Sequence, residues 1–151
     1  MKTKNKKKYK NILKVIFLLY IIVLTYFLFF SERYGRVATH TEYRYNLVLF
    51  KELKRFIIYR EELGLESFVV NIFGNICVFV PFGFMLPIIS ENNRKLINVT
   101  VITLIFSLAI ELLQLIYKVG IFDVDDLFLN TIGGILGYLL FKMVNLIRKR
   151  S

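Results

Sequence analysis

The residues best suited to chemistry are acids and amides that lie inside otherwise apolar stretches of the sequence. Glu111 is the only charged residue between Leu96 and Tyr117. An ionisable side chain at membrane depth costs about 2.5 kcal/mol or more to insert, so Glu111 is a functional candidate by default. Polar residues on this stretch recur at steps of three and four and therefore share one helix face. They are Thr100, Thr103, Ser107, Glu111, Gln114 and Lys118.

Further acids and amides lie on the two neighbouring apolar stretches. Carboxylates bind cationic groups and divalent metals such as Mg²⁺, and amides supply hydrogen bonds. The predicted polar site comprises Asn71, Asn75, Glu111, Gln114, Asp123, Asp126 and Asn130. Its candidate metal ligands are Glu111, Asp123 and Asp126, and no cofactor is predicted. The alternative role of Asp123 is to cap the N-terminus of the last helix, with Asp126 three residues on.

Composition indicates what kind of element positions these residues. The chain has 151 residues, of which 56% are hydrophobic, above the roughly 45–50% of a soluble domain. Such a composition excludes disorder. One cysteine (Cys77) and one histidine (His40) exclude a disulfide framework and a zinc site built on Cys and His. The length predicts a single domain over residues 1–151.

Four apolar stretches are each long enough to cross a membrane as a helix of about 20 residues. They predict spans over residues 12–30, 68–89, 96–118 and 126–147. The predicted fold is therefore an all-α polytopic membrane protein with four transmembrane helices. The alternative for the first stretch is a signal peptide. Its apolar core is longer than the roughly 7–15 residues typical of a signal peptide, and no small-residue cleavage site follows it.

The positions of the basic residues predict the orientation. With four spans, twelve Lys and Arg residues fall on the side of the termini and eight on the other side. The positive-inside rule then places both termini in the cytoplasm and the 31–67 loop outside. The net charge of +10 by itself suggests nucleic acid binding, but charge at the termini suits an anionic leaflet, so no nucleic acid partner is predicted.

The 31–67 loop contains a second amphipathic pattern. Leu47, Phe50, Leu53 and Ile57 recur at helical spacing, with charged residues between them. This pattern predicts a short amphipathic helix at the membrane interface, within the first extracytoplasmic loop.

The predicted orientation gives the polar residues of three spans one depth. Glu111 and Gln114 lie about 22–27 Å from the inner end of the third span at 1.5 Å per residue. Asn75 lies in the outer half of the second span, and Asn130 lies one turn into the fourth. A shared depth predicts a polar pocket that opens to the outside. Four further residues are assigned to helix packing: Pro81, Gly83, and the G-x-x-x-G pair Gly133 and Gly137.

Several of these residues fall into ordered motifs. Residues 75–83 (NICVFVPFG) resemble the pattern N-x-x-x-F-x-P-x-G, residues 111–114 (ELLQ) resemble E-x-x-Q, and residues 123–137 resemble D-x-x-D-x-x-x-N-T-x-G-x-x-x-G. Residues 46–50 resemble an N-L-x-P-F element in which Leu49 replaces the proline. Together these motifs, in this order, resemble those of the VanZ-like family.

The resemblance implies a small multi-pass bacterial membrane protein, and some members of that family confer low-level resistance to teicoplanin or related lipoglycopeptides. The first functional hypothesis is a non-enzymatic envelope protein whose outward pocket binds a membrane lipid headgroup, a cell-wall precursor or the glycopeptide antibiotic. The second is a membrane enzyme that acts on a lipid-linked or cell-wall substrate with a carboxylate-held cation. The third is a structural partner protein, in which the polar residues only form interhelical hydrogen bonds.

Overall fold

A computed structural model describes residues 2–30 and 42–150 of the chain. In chain order, the elements are α1 (Lys2–Phe30), β1 (Tyr45–Asn46), α2 (Lys51–Ile58), α3 (Arg60–Leu63), α4 (Leu65–Ile89), a 3₁₀ turn (Glu91–Asn93), α5 (Leu96–Ile116), β2 (Phe122–Asp123) and α6 (Val124–Arg150). Within the described residues, four helices (α1, α4, α5 and α6) are long and apolar enough to cross a membrane. The predicted all-α polytopic membrane fold is confirmed.

The connection between α1 and α4 differs from its prediction. Residues 31–41 of the predicted 31–67 loop lie outside the described residues. The amphipathic helix predicted from Leu47 begins only at Lys51, because Phe50 takes the left-handed conformation (φ 66°) and cannot continue a helix backwards. A pair of two-residue strands was not predicted at all. β1 and β2 pair in parallel, with Tyr45 opposite Phe122 and Asn46 opposite Asp123.

The centre of the bundle is the contact between α4 and α6, where the two backbones approach each other directly. A Cβ atom built on Gly83 would lie 1.9 Å from the carbonyl oxygen of Gly134, and one built on Gly137 would lie 2.1 Å from that of Val80. A Cβ atom built on Gly133 would likewise lie 2.2 Å from the carbonyl oxygen of Ile76. These distances allow no side chain, so glycine lets the two helices pack at backbone contact.

The two prolines of α4 differ in burial. Pro81, which is predicted to serve helix packing, is exposed, whereas Pro87 is fully buried. At 100° per residue, a separation of six positions places the two prolines on different faces of α4. The helix continues through both positions.

Aromatic side chains fill the rest of the core. The rings of Phe82 and Phe106 stack in parallel with their centroids 4.9 Å apart, which joins α4 to α5. The hydroxyl of Tyr138 on α6 donates to the carbonyl oxygen of Arg94 at 2.8 Å. Helix α1 is the least buried of the four spans and contributes Leu24 and Leu28 to the core. Most of the buried polar side chains lie toward the end of the bundle that carries residues 123–126, called the carboxylate end below.

Candidate functional site

Asp123 occupies the junction between β2 and α6. Its Oδ1 accepts the backbone N–H of Asp125 at 2.8 Å, the hydrogen bond by which an N-cap residue satisfies the first turn of a helix. The same oxygen accepts Asn46 Nδ2 at 3.0 Å, because the strand pairing places Asn46 opposite Asp123. Glu111 reaches the junction from α5, and its Oε2 accepts the backbone N–H of Asp123 at 3.1 Å. The structure thus places Asp123 in the capping role considered for it.

Burial raises the pKa of the Asp123 carboxyl above its usual range. The hydrogen bonds from the Asp125 backbone and from Asn46 oppose this effect, because they stabilise the carboxylate form. The nearby charges of Asp125 and Glu52 add to the increase. Folding therefore opposes the ionisation of Asp123, the acid that caps α6.

Asp125 binds the start of α2. Its Oδ2 accepts the backbone N–H groups of Glu52 at 2.9 Å and Leu53 at 3.1 Å, and its Oδ1 accepts that of Phe50. These donors lie at the N-cap residue and in the first turn of α2, where N–H groups have no partner within their own helix. Asp125 is 1% exposed. A side chain of α6 therefore caps a helix that lies about seventy residues earlier in the chain.

Asn75 and Asp126 join α4 to α6. Asn75 Nδ2 donates to Asp126 Oδ1 at 2.5 Å, and Asn75 itself is buried. Asp126 is half-buried, whereas Glu111, Asp123 and Asp125 are buried. Of these four acids, Asp126 is thus the one that surrounding molecules can reach.

Asn130 and Gln114 are buried amides next to this region. Asn130 Nδ2 donates to the hydroxyl of Ser107 at 2.8 Å, and Gln114 Nε2 donates to the carbonyl oxygen of Leu28 on α1, also at 2.8 Å. Within the described part of the chain, Asn130 Oδ1 and Gln114 Oε1 are buried and accept no hydrogen bond. Buried acceptors normally have a donor, so these two oxygens are exceptions within the described part of the chain.

The remaining candidates lie apart. Asn71 is half-buried, and its Nδ2 donates to the carbonyl oxygen of Ser67 in its own helix at 2.7 Å. The three carboxylates considered as metal ligands do not form a ligand set: residues 2–30 and 42–150 contain no group of three or more Asp, Glu, His or Cys side chains arranged to hold a metal ion. Glu111 and Asp123 instead accept protein N–H groups.

Sequence reasoning missed three members of the site: Asp125, Asn46 and Ser107. The spacing predicts Ser107 on the polar face of α5 but does not predict its contact with Asn130. Asn46 belongs to the N-L-x-P-F-like element, which was the available signal for it. Asp125 gave no signal, since its partners are backbone N–H groups of a distant segment.

A sequence profile of the family described as VanZ/LLP1 matches residues 17–146. The chain belongs to the VanZ/LLP1 family. Protein VanZ from Enterococcus faecium is 32% identical over 108 residues, which cover 66% of this chain and 66% of that protein. No solved structure matches the chain.

In this VanZ-family protein, the matched residues include every contact described above at the carboxylate end. The arrangement combines fixed and accessible groups. Asp123, Asp125 and Glu111 accept hydrogen bonds from the protein and hold three segments of chain together. Asp126 supplies an accessible hydrogen-bond acceptor and a negative charge, and this chemistry suits a ligand that carries N–H or O–H donors or a positive charge.

Proposed function

We propose that this VanZ-family membrane protein binds a polar ligand at its carboxylate end, and that binding contributes to resistance to teicoplanin or related lipoglycopeptides. The ligand is a lipid headgroup, a cell-wall precursor or the drug itself. The carboxylate end faces the outside of the bacterial plasma membrane, and both termini lie in the cytoplasm. Lipoglycopeptides act outside the membrane, so an outward site would meet the drug or its target.

The observation that carries the proposal is the Asn75–Asp126 pair. Asn75 holds one oxygen of Asp126 at 2.5 Å and so fixes the carboxylate, while the half-buried position of Asp126 keeps it accessible. A fixed acceptor loses little conformational entropy when a ligand binds. Membership of the VanZ/LLP1 family supports the link to glycopeptide resistance.

Drug susceptibility of a sensitive host that expresses the protein tests this function. We expect the parent to raise the minimal inhibitory concentration of teicoplanin, and Asp126→Asn or Asn75→Ala to abolish the increase. Matched controls make the same kinds of change, acid to amide and Asn to Ala, at the opposite end of the bundle: Glu91→Gln and Asn98→Ala, at an exposed and a half-buried residue, should retain it. A parent without any effect contradicts the resistance function.

A purely structural role gives a different pattern. In that case, Asp126→Asn would lower the thermal stability of the purified protein while resistance stayed at the parental level. Equal resistance in parent and variant, at equal membrane abundance, therefore refutes a ligand-binding role for the pair.

The orientation has its own test. Ile121 is exposed beside the carboxylate end, and Asn92 is exposed at the opposite end. In a Cys77→Ala background, a membrane-impermeant maleimide added to intact cells should label Ile121→Cys and not Asn92→Cys. The reverse labelling pattern would place the site in the cytoplasm and refute an outward-facing pocket.

A further inference from the structure

We propose that residues 47–59, called the interfacial segment here, form a lipid-binding surface that prefers anionic phospholipids. The segment comprises the turn before α2, α2 itself and Tyr59. Its apolar side chains enter the headgroup region, and its basic side chains contact lipid phosphates. This surface is separate from the ligand site around Asp126 and does not depend on the proposed function.

The first observation is an apolar surface outside the spanning helices. Six side chains of the segment are between 48% and 69% exposed: Leu47, Val48, Leu49, Ile57, Ile58 and Tyr59. Within α2, no residue is buried. Large apolar side chains exposed outside the spanning helices mark a site of contact with a membrane or another molecule.

The second observation is the position of this surface relative to the end of a membrane span. The ring of Phe50 meets the ring of Phe128 edge to face, with the centroids 5.2 Å apart. Phe128 lies one turn into the spanning helix α6 and is itself 38% exposed, so it borders the lipid. The three hydrogen bonds to Asp125 fasten the start of α2 to the first turn of the same helix. The segment therefore lies at the height where a spanning helix leaves the membrane.

The third observation is the charge of the segment. Lys51, Lys54 and Arg55 are exposed, whereas the single acid, Glu52, is half-buried and pairs with Arg55 at 2.7 Å. Two lysines thus remain as exposed positive charge beside the apolar side chains. Each basic side chain near an anionic membrane surface raises the affinity for that surface about fivefold. This charge complementarity selects an anionic lipid surface as the partner.

The acids of α3 limit the surface on one side. Glu61 and Glu62 are exposed, and they follow the interruption of the helix at Tyr59. They lie beyond the interfacial segment, which gives a natural reference position for an experiment.

The chain contains no tryptophan, so one introduced tryptophan is a clean reporter. We would reconstitute Ile58→Trp and, as a matched control, Glu61→Trp into vesicles of phosphatidylcholine with phosphatidylglycerol. Quenching by brominated lipid of each type gives the relative affinity of the lipids around the reporter. We expect Ile58→Trp to be quenched strongly, with brominated phosphatidylglycerol favoured about fivefold or more, and Glu61→Trp to be quenched weakly.

A charge variant tests the basis of the preference. Lys51→Gln with Lys54→Gln in the Ile58→Trp protein should bring the relative affinity close to one while the reporter stays buried in lipid. Weak quenching of Ile58→Trp by every lipid, at the level of Glu61→Trp, would refute membrane contact. Strong quenching without a phosphatidylglycerol preference, or a preference that survives the lysine substitutions, would refute the anionic selectivity.

Discussion

Substitution of Asp125 by alanine should release the start of α2 without unfolding the bundle. The side chain accepts three backbone N–H groups, from Phe50, Glu52 and Leu53, and is 1% exposed. Asp125→Ala removes all three acceptor contacts together. The spanning helices keep their own contacts, because α4 and α6 pack through glycines farther along the bundle. The expected effect is therefore local.

The magnitude follows from the number and type of hydrogen bonds lost. A hydrogen bond to a charged group contributes about 1.5–3 kcal/mol. The three N–H groups share one carboxylate, so their contributions do not add in full; two such bonds at the lower limit give about 3 kcal/mol. This corresponds to roughly a hundredfold larger open population of the segment.

Amide hydrogen exchange of a peptide over residues 48–56 measures this population directly. In Asp125→Ala, we expect exchange at Phe50, Glu52 and Leu53 to accelerate about a hundredfold, while amides of α6 stay protected. Asp126→Asn is the matched control, since Asp126 contacts Asn75 instead of α2, and exchange at the three amides should not change. Unchanged exchange in Asp125→Ala, or equal acceleration in both variants, would refute the capping role.

Three further predictions concern packing, pH and the buried amides. Gly83→Ala should lower the free energy of unfolding in detergent by about 1–3 kcal/mol, because the new methyl group forces α4 away from α6. An unchanged free energy of unfolding would contradict the backbone contact. The raised pKa of Asp123 means that the folded protein binds more protons than the unfolded chain, so this group's contribution to the free energy of unfolding falls as pH rises from about 3.9 through the raised value. In pH-dependent denaturation, Asp123→Asn should remove that part of the slope, and a slope identical to the parent would refute it. A double-mutant cycle of Ser107→Ala and Asn130→Ala should give a coupling of about 0.6 kcal/mol, and strictly additive effects would exclude their hydrogen bond.

The sequence was sufficient for the features that depend on local pattern. Four apolar stretches predicted the spanning helices, and the spacing of Thr103, Ser107, Glu111 and Gln114 predicted the face of α5 that is buried. Helical periodicity repeats over many residues, so such predictions rest on several independent positions. A boundary such as the start of α2 rests on the conformation of Phe50 alone and was missed.

The contacts at the carboxylate end could not be predicted in the same way. Asp125 is one of three acids between residues 123 and 126, and its spacing does not show that it caps α2. Its partners are backbone N–H groups, which almost every residue type has, so the sequence of α2 does not reveal the contact. The pairing of β1 with β2 covers two residues per strand and has no periodicity to detect. The amide of Gln114 is used by a backbone carbonyl of α1, at Leu28. Such contacts follow only from the packed structure.

The hydrogen bonds between α5 and the start of α6 also bear on how the chain is inserted during synthesis. When α5 leaves the ribosome, Ser107 and Glu111 still lack Asn130 and the backbone of Asp123, which come later in the chain. A helix that enters lipid alone would hold these polar groups without the hydrogen bonds that α6 and Asp123 provide, at a cost of several kcal/mol. Only a short connection separates the two helices. We therefore expect α5 and α6 to enter the bilayer together as a helical hairpin. Glu111 would then enter the membrane with its hydrogen bond to the backbone of Asp123 already formed.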